Sequence, residues 1–395
     1  MEEPLNDKGT TVRSLPSSTF ATRSEGGMLL EQSPEQESLR ETTCRFLANE
    51  APLADVRKLR EHPDGFERSF WRRGADLGWV ALLARESAGG GSVSGQGLVD
   101  LTLIAHEFGR HAAPGPLVPT NLVAAALSTG AGGAHEAVLA GLVEGSAIGA
   151  WCAEEAPGGR LEILVDGGNV VVNGVARPVE AAAQAEHLLV AGRTGGGTTQ
   201  VLVPRSVEGV TVEALDGVDL TRRFYSVRFD GVRLPLDAVV GTPGSAAADV
   251  ERLFRVAAVI ACAESVGAME RAFEMTVAWA FDRYSFGRPL ASYQALKHRF
   301  ADMKSWLEAA HAITDTAAAA VAVGRADAAE QASAAKAYVG QYGTELLQEC
   351  VQLHGGIGVT FDHDLHLFLR RVTLDRMLFG TPADHRARLG ETADG

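Results

Sequence analysis

Between Pro289 and Pro382 the chain contains no proline, and alanine is abundant throughout. A proline inside a helix removes a hydrogen bond and costs about 3 kcal/mol, whereas alanine is the best helix former. A stretch of this kind is committed to long helices. Leu296, Phe300, Met303 and Leu307 fall on one face of one of them. Upstream of Pro289, Val256, Val259, Ile260 and Ala263 do the same on a further helix. Helices with single apolar stripes bury them against one another, so a four-helix bundle with surface left for oligomer contacts is expected over 245–395.

Upstream, Ser33-Pro34-Glu35-Gln36 combines an N-cap serine, a proline at N1 and a capping-box glutamine. Leu39, Thr43, Phe46 and Leu47 then keep helical spacing, and 28–146 reads as a helical domain broken at Gly89-Gly90-Gly91 and Pro114-Gly115-Pro116. Over 147–241 the period becomes two. Tyr225, Val227 and Phe229 alternate with Ser226, Arg228 and Asp230, and short apolar runs at 170–172, 188–190 and 201–203 are divided by glycine-rich turns. No helix long enough for a crossover lies between them, which predicts an antiparallel middle β domain. The fold class is therefore α+β.

Residues 1–27 open acidic, lack an apolar core and are rich in Ser, Thr, Gly and Pro, so a disordered leader rather than an export signal is expected. The formal charge of −14 disfavours general binding to nucleic acid or anionic membrane. No apolar run approaches the ~18 residues of a membrane span. Cys44, Cys152, Cys262 and Cys350 are widely separated, as in reduced intracellular proteins, and a cytoplasmic location is expected. The glycine run Gly130–Gly133 before His135 lacks the strand and final glycine of a dinucleotide fingerprint. Asp362, His363, Asp364 and His366 crowd one turn and have no second ligand set, so no metal is expected.

Two segments remain. Arg283-Tyr284-Ser285-Phe286-Gly287-Arg288-Pro289 is followed by Gln294, and Gln352-Leu353-His354-Gly355-Gly356-Ile357-Gly358 comes about sixty residues later. Arg283 offers a fixed fork of donors suited to phosphate, Gln294 both donates and accepts, and the paired glycines leave room for a flat or phosphorylated ligand. A salt-bridged arginine and a glycine helix cap would explain the same residues without a ligand.

This pair of motifs, in α-β-α domain order, resembles the acyl-CoA dehydrogenase family from Met28 onward. The resemblance implies FAD and an acyl-CoA substrate, with electrons passed to an electron-transfer flavoprotein or similar acceptor. It assigns cofactor contacts, partly to the FAD of a neighbouring subunit, to Arg283, Ser285, Phe286, Gln294, Gln352, Gly355 and Gly356. It also exposes departures. The family's catalytic glutamate position is Phe379 here, and its alternative base position is Ala257. The flavin-lining loop reads Ala153-Glu154-Glu155-Ala156-Pro157-Gly158-Gly159-Arg160, without the family's serine and aspartate. Pro178 and Glu180 stand where the family has a Trp and a Thr against the flavin ring.

The resemblance is closest to subunits that lack the glutamate in heteromeric members. It implies α,β-dehydrogenation of an acyl-CoA by a heterotetramer in which this chain completes the partner's FAD site. A homomeric dehydrogenase with its base moved to Asp375, and a flavin-dependent monooxygenase on the same fold, are the alternatives. A helix-surface aspartate such as Asp375 is ordinarily just solvated.

Overall fold

The computed structural model describes residues 32–129, 133–153 and 161–393. The 1–27 leader, most of the glycine run before His135 and residues 154–160 of the flavin-lining loop lie outside the described residues.

Six helices come first: α1 (Pro34–Glu50), α2 (Leu53–Val56), α3 (Arg68–Asp76), α4 (Gly97–His111), α5 (Leu117–Thr129) and α6 (Glu136–Val143). The capping box forms as its sequence predicts: Gln36 N donates to Ser33 Oγ at 3.3 Å, and Ser33 N donates to Gln36 Oε1 at 3.0 Å. The same Gln36 side chain donates to Asp100 Oδ1 at 2.8 Å, which fastens α1 to α4. Trp79 sits at the centre of this domain's core, edge-on to Phe46, Phe70 and Phe108 with centroids 4.7–5.7 Å apart. Such pairings add about 0.5–1.5 kcal/mol each beyond the area they bury.

Strands β1 (Gly149–Cys152), β2 (Leu161–Asp166), β3 (Asn169–Glu180), β4 (His187–Thr194), β5 (Gly197–Pro204), β6 (Val210–Leu215), β7 (Phe224–Pro235) and β8 (Val239–Val240) form one sheet in the order β6-β7-β3-β2-β4-β5-β8, with β1 also on β4. The antiparallel expectation holds for most pairings and needs one correction. β1 runs parallel to β4 from Gly149↔His187 to Cys152↔Val190, and β2 is parallel to β4 at Glu162↔Arg193. Parallel neighbours require a crossover connection. Here the β2–β3 hairpin supplies it, so the absence of a helix between the strands did not exclude a parallel pair.

The last part contains α7 (Ala247–Asp282), α8 (Gln294–Ala322), α9 (Ala328–His354), α10 (Leu365–Met377) and α11 (Pro382–Ala393), with the short hairpin β9 (Tyr284–Ser285) and β10 (Arg288–Pro289) between α7 and α8. α7 exceeds the single stripe expected of it. Every residue from Val256 to Met269 is buried, because α4, α9 and α10 all pack against that stretch. The crossing with α4 depends on two glycines. A Cβ on Gly109 would lie 1.8 Å from Glu264 O, and one on Gly267 would lie 1.9 Å from His106 O. Backbone therefore meets backbone, which brings α4 side chains within reach of those on α7. No helix among the described residues is long and apolar enough to cross a membrane.

Candidate functional site

Phe379 lies in the turn after α10 with φ +58°, and its side chain is 9% exposed. The turn is held from beneath. Lys336 Nζ, fully buried on α9, donates to the carbonyls of Asp375 (2.8 Å), Arg376 (3.1 Å) and Gly380 (2.9 Å). The first two carbonyls belong to the last turn of α10 and the third lies just beyond it, where a helix end leaves carbonyls without intrahelical donors. His385 Nε2 lies 2.9 Å from Phe379 O, and Nδ1 lies 3.2 Å from Ser333 Oγ. Burial drives the His385 imidazole down to about 4, so it is neutral, with Nε2–H donating to the carbonyl and Nδ1 accepting from the serine. The turn is thus rigidly placed while offering no proton acceptor on its side chain. Ala257 is fully buried in α7 and offers none either.

Asp375 departs from the solvated helix-surface residue expected of it. It is 1% exposed and belongs to a buried ionic cluster joining all three parts of the chain. Arg222, just before β7, donates to Glu180 at 2.7 and 2.5 Å and to Asp375 Oδ1 at 2.8 Å, and lies 3.3 Å from Glu264 Oε2. Arg371, which is inaccessible to solvent, donates to Asp219 Oδ2 at 2.5 Å, to Thr221 Oγ1 at 2.8 Å and to Ala113 O at 3.0 Å, and pairs with Glu264. Ser265 Oγ closes the cluster on Asp375 Oδ2 at 3.2 Å. Both Asp375 oxygens are therefore engaged inside the protein, and the residue is not placed to abstract a substrate proton. α10 is buried between α7 and α9 at this point, which a single helical stripe in the sequence did not reveal.

Burial, followed by the neighbouring Glu264 carboxylate, pushes Asp375 up to about 8. Its folded value exceeds that of the unfolded chain, so between about pH 4 and 8 the folded protein holds the extra proton, and stability falls as pH rises. Glu180, raised by burial against the pull of Arg222, acts in the same direction. Urea midpoints measured across this window are expected to be higher at the acid end on account of these two groups. Asp375→Asn is expected to flatten the slope; an unchanged slope in that variant would assign the dependence elsewhere.

Glu180 thus differs from the free carboxylate that its sequence position suggested beside a flavin ring. It is 9% exposed and its charge is matched by Arg222. The space beside it, lined by Asp64, Gly115, Glu180, Gln184 and Arg222, is a small cleft. With both its oxygens held by Arg222, the Glu180 carboxylate is not free to contact a flavin ring.

The two motif segments are arranged differently. Arg283 caps α7, and Leu290 N donates to Arg283 O at 2.9 Å to close the β9–β10 hairpin. Phe286 (φ +49°) and Gly287 (φ +80°) form its tip, the positive-φ pair that a two-residue hairpin turn requires. Tyr293 Oη donates to Ser285 O at 2.7 Å, and the Arg288 guanidinium lies 3.9 Å over the Tyr293 ring. The arm is rigid at its base, yet Phe286 is 98% exposed. Arg283 and Gln294 are exposed as well, and no ion pair holds Arg283 among the described residues.

Trp279 connects this arm to the second motif, and nothing in the sequence singled it out. The Arg283 guanidinium stands 5.9 Å from its ring centroid, and His354 stacks on the ring at 5.4 Å and 19°. The Trp279 Nε1 donor is buried without a hydrogen-bond partner. Around His354, Gln352, Gly355 and Gly356 form an exposed shelf; Gly355 has φ +66°, and a Cβ at either glycine would meet nothing within 4 Å. An exposed cation, an amide, a glycine shelf and an orphaned indole donor fit a phosphorylated, aromatic ligand such as FAD. Only Trp279's place at i−4 from Arg283, one helical turn away, hinted at its role in the sequence.

Residues 33–146 match the model of the acyl-CoA dehydrogenase N-terminal domain, and 247–393 match that of its C-terminal domain. Acyl-CoA dehydrogenase IpdE2 of Mycobacterium tuberculosis is 32% identical over 361 residues, spanning 90% of this chain and 96% of that protein. The chain belongs to the acyl-CoA dehydrogenase family. The IpdE2 of Mycolicibacterium smegmatis is 30% identical over 90% of the chain. Among solved structures, a variant of the "Tcur3481-Tcur3483 steroid ACAD" superposes with a TM-score of 0.82 at 26% identity, covering 91% of this chain and 98% of that one. A glutaryl-coenzyme A dehydrogenase complex, at 20% identity and a TM-score of 0.87, shares the fold. Family membership makes the chain part of a group of FAD-dependent oxidoreductases. In this chain the arm and shelf are largely exposed, whereas Phe379, Glu180 and Ala257 are buried.

Proposed function

We propose that this chain is the base-less subunit of a heteromeric acyl-CoA dehydrogenase. It would complete, from its 283–294 arm and its Gln352–Gly356 shelf, the FAD site of a homologous partner that retains the glutamate. The observation that carries the reading is the contrast between a buried, rigidly held Phe379 and an arm whose recognition groups all face outward. When bound, FAD would supply the hydride acceptor for the β-carbon of an acyl-CoA whose α-proton a base on the partner would take. In this chain, Arg283 pairs with the negative charge of the cofactor, Gln294 and Trp279 Nε1 donate to it, and the glycine shelf admits it closely. Ser285 and Phe286, at the hairpin, would add further contacts to that FAD. Phe379 closes the unused base position with an apolar ring and keeps water out of it.

A bulky, polycyclic acyl-CoA is the substrate class favoured. The similar solved structure named as a steroid enzyme joins two gene designations in one name, which supports both the substrate class and the paired-subunit reading. The electron acceptor would be an electron-transfer flavoprotein or an equivalent.

Purified alone, the chain is expected to hold well under one FAD and to leave added FAD unbleached by any acyl-CoA. Co-expressed with a glutamate-bearing homologue, it is expected to give a yellow complex that an acyl-CoA bleaches. Phe379→Glu alone is expected to restore no turnover, because Pro178 and the Arg222-bound Glu180 still stand where the family seats the flavin ring. Full flavin occupancy and turnover by the isolated chain would overturn the subunit assignment.

A further inference from the structure

Far from the arm, α4, α7 and α8 bring together His106, Glu270 and His311. One ligand atom from each lies within 4.8 Å of the others. His106 Nε2 is 3.0 Å from Glu270 Oε2, and the two imidazole centroids are 5.4 Å apart. We propose that these three side chains form a binding site for a borderline divalent transition metal, of which zinc is the representative, stapling the N-terminal helical domain to the C-terminal bundle.

Two imidazoles and a carboxylate are a donor set suited to zinc, which takes His and Glu at about 2.0–2.2 Å. Ligands in a tetrahedral site at that distance stand about 3.3–3.6 Å apart. Closing the triad therefore takes about 1 Å of movement, within reach of the Glu270 side chain. The surroundings are those of a built site. Metal-bound histidines commonly direct the other ring nitrogen at a carboxylate, and His106 Nδ1 faces Glu107 Oε1 at 3.8 Å. Glu107 is 2% exposed, and its Oε2 makes no hydrogen bond. Asp315, one turn beyond His311 on α8, also has a buried carboxylate oxygen, Oδ2, without a partner. The Glu107 oxygen faces His111 Nδ1 at 3.9 Å, but the unpaired Asp315 acceptor is expensive to bury, and a cation nearby offsets that cost. The ligands are partly open: the His106 and Glu270 side chains are 16% and 28% exposed, which leaves a route in from solvent.

Arg110 competes for the site, since its Nη1 lies 2.8 Å from Glu270 Oε2. It also holds Glu274 through two bonds of 3.1 and 2.9 Å, and so keeps a partner when Glu270 turns to the metal. The competition limits affinity, and it separates a metal site from a plain ion-pair cluster.

The test is zinc titration of the chelator-treated full chain, followed by calorimetry and thermal melts. One zinc per chain at micromolar affinity or tighter is expected, with a Tm rise of roughly 5 °C at hundredfold excess over Kd. His311→Gln is expected to weaken binding by at least about a hundredfold. Arg110→Gln, which frees Glu270, is expected to tighten it. If a variant fails to fold, cobalt added to the wild-type chain still decides the matter, because a three-ligand protein site gives an intense tetrahedral visible spectrum. Absence of stoichiometric zinc binding, a weak octahedral cobalt spectrum, or affinity unmoved by His311→Gln would each overturn the proposal.

Discussion

Arg283→Ala, introduced into the complex of this chain with its glutamate-bearing partner, is expected to strip FAD from the partner's site although the partner is unaltered. Arg283 is exposed on its own protomer and is not engaged by any ion pair among the described residues, so its charge is available to a neighbour. Hydrogen bonds to a charged group are worth about 1.5–3 kcal/mol, which corresponds to roughly a ten- to hundredfold loss of flavin affinity. Flavin per tetramer, read from absorbance of the purified complexes, gives the result. Glu180→Gln is the control. Its carboxylate is already matched by Arg222 inside the protein, so flavin content is expected to hold while stability drops. Full flavin with Arg283→Ala and lost flavin with Glu180→Gln would place the working cofactor on this chain's own β domain.

The largest expected effect on stability is that of Arg371→Met. Arg371 is completely buried and serves Asp219, Glu264, Thr221 and the Ala113 carbonyl, binding α10 to the β domain, to α7 and to the α4–α5 turn. Removing one member of a buried ion pair leaves the other charged and unpaired, and costs about 3–5 kcal/mol. A loss of that size should appear in urea unfolding followed by circular dichroism. Adding Asp219→Asn should recover part of it, because the stranded charge is then gone. A single variant within about 1 kcal/mol of wild type would mean that the cluster adds little to stability.

The proline-free, alanine-rich region determined the long helices, since propensity and stripe spacing act along the chain and need no partner. The capping box at Ser33 and the period-two pattern around Tyr225–Phe229 were legible for the same reason. So were the Arg283–Gln294 and Gln352–Gly356 motifs, whose residue types and spacing survive as an exposed arm and shelf, and the missing carboxylates at Phe379 and Ala257. Resemblance to a family added the roles that residue types alone left open between a ligand site and an ordinary helix end.

What the sequence could not determine depends on who faces whom. Asp375 reads as a solvated helix residue until α10 is seen buried between α7 and α9, and Glu180 reads as a free charge until Arg222 arrives from forty-two positions away. The parallel β1–β4 pair was hidden because a hairpin can serve as a crossover as well as a helix can. Trp279, Lys336, His385 and the His106–Glu270–His311 triad carry no local signature. Their roles come from helix crossings such as the Gly109–Gly267 approach, which sets the separation of side chains more than a hundred and fifty residues apart. Helix and strand formation follow from interactions between near neighbours in the chain. Charge pairing and ligand geometry follow from distances in space, which only the packed structure fixes.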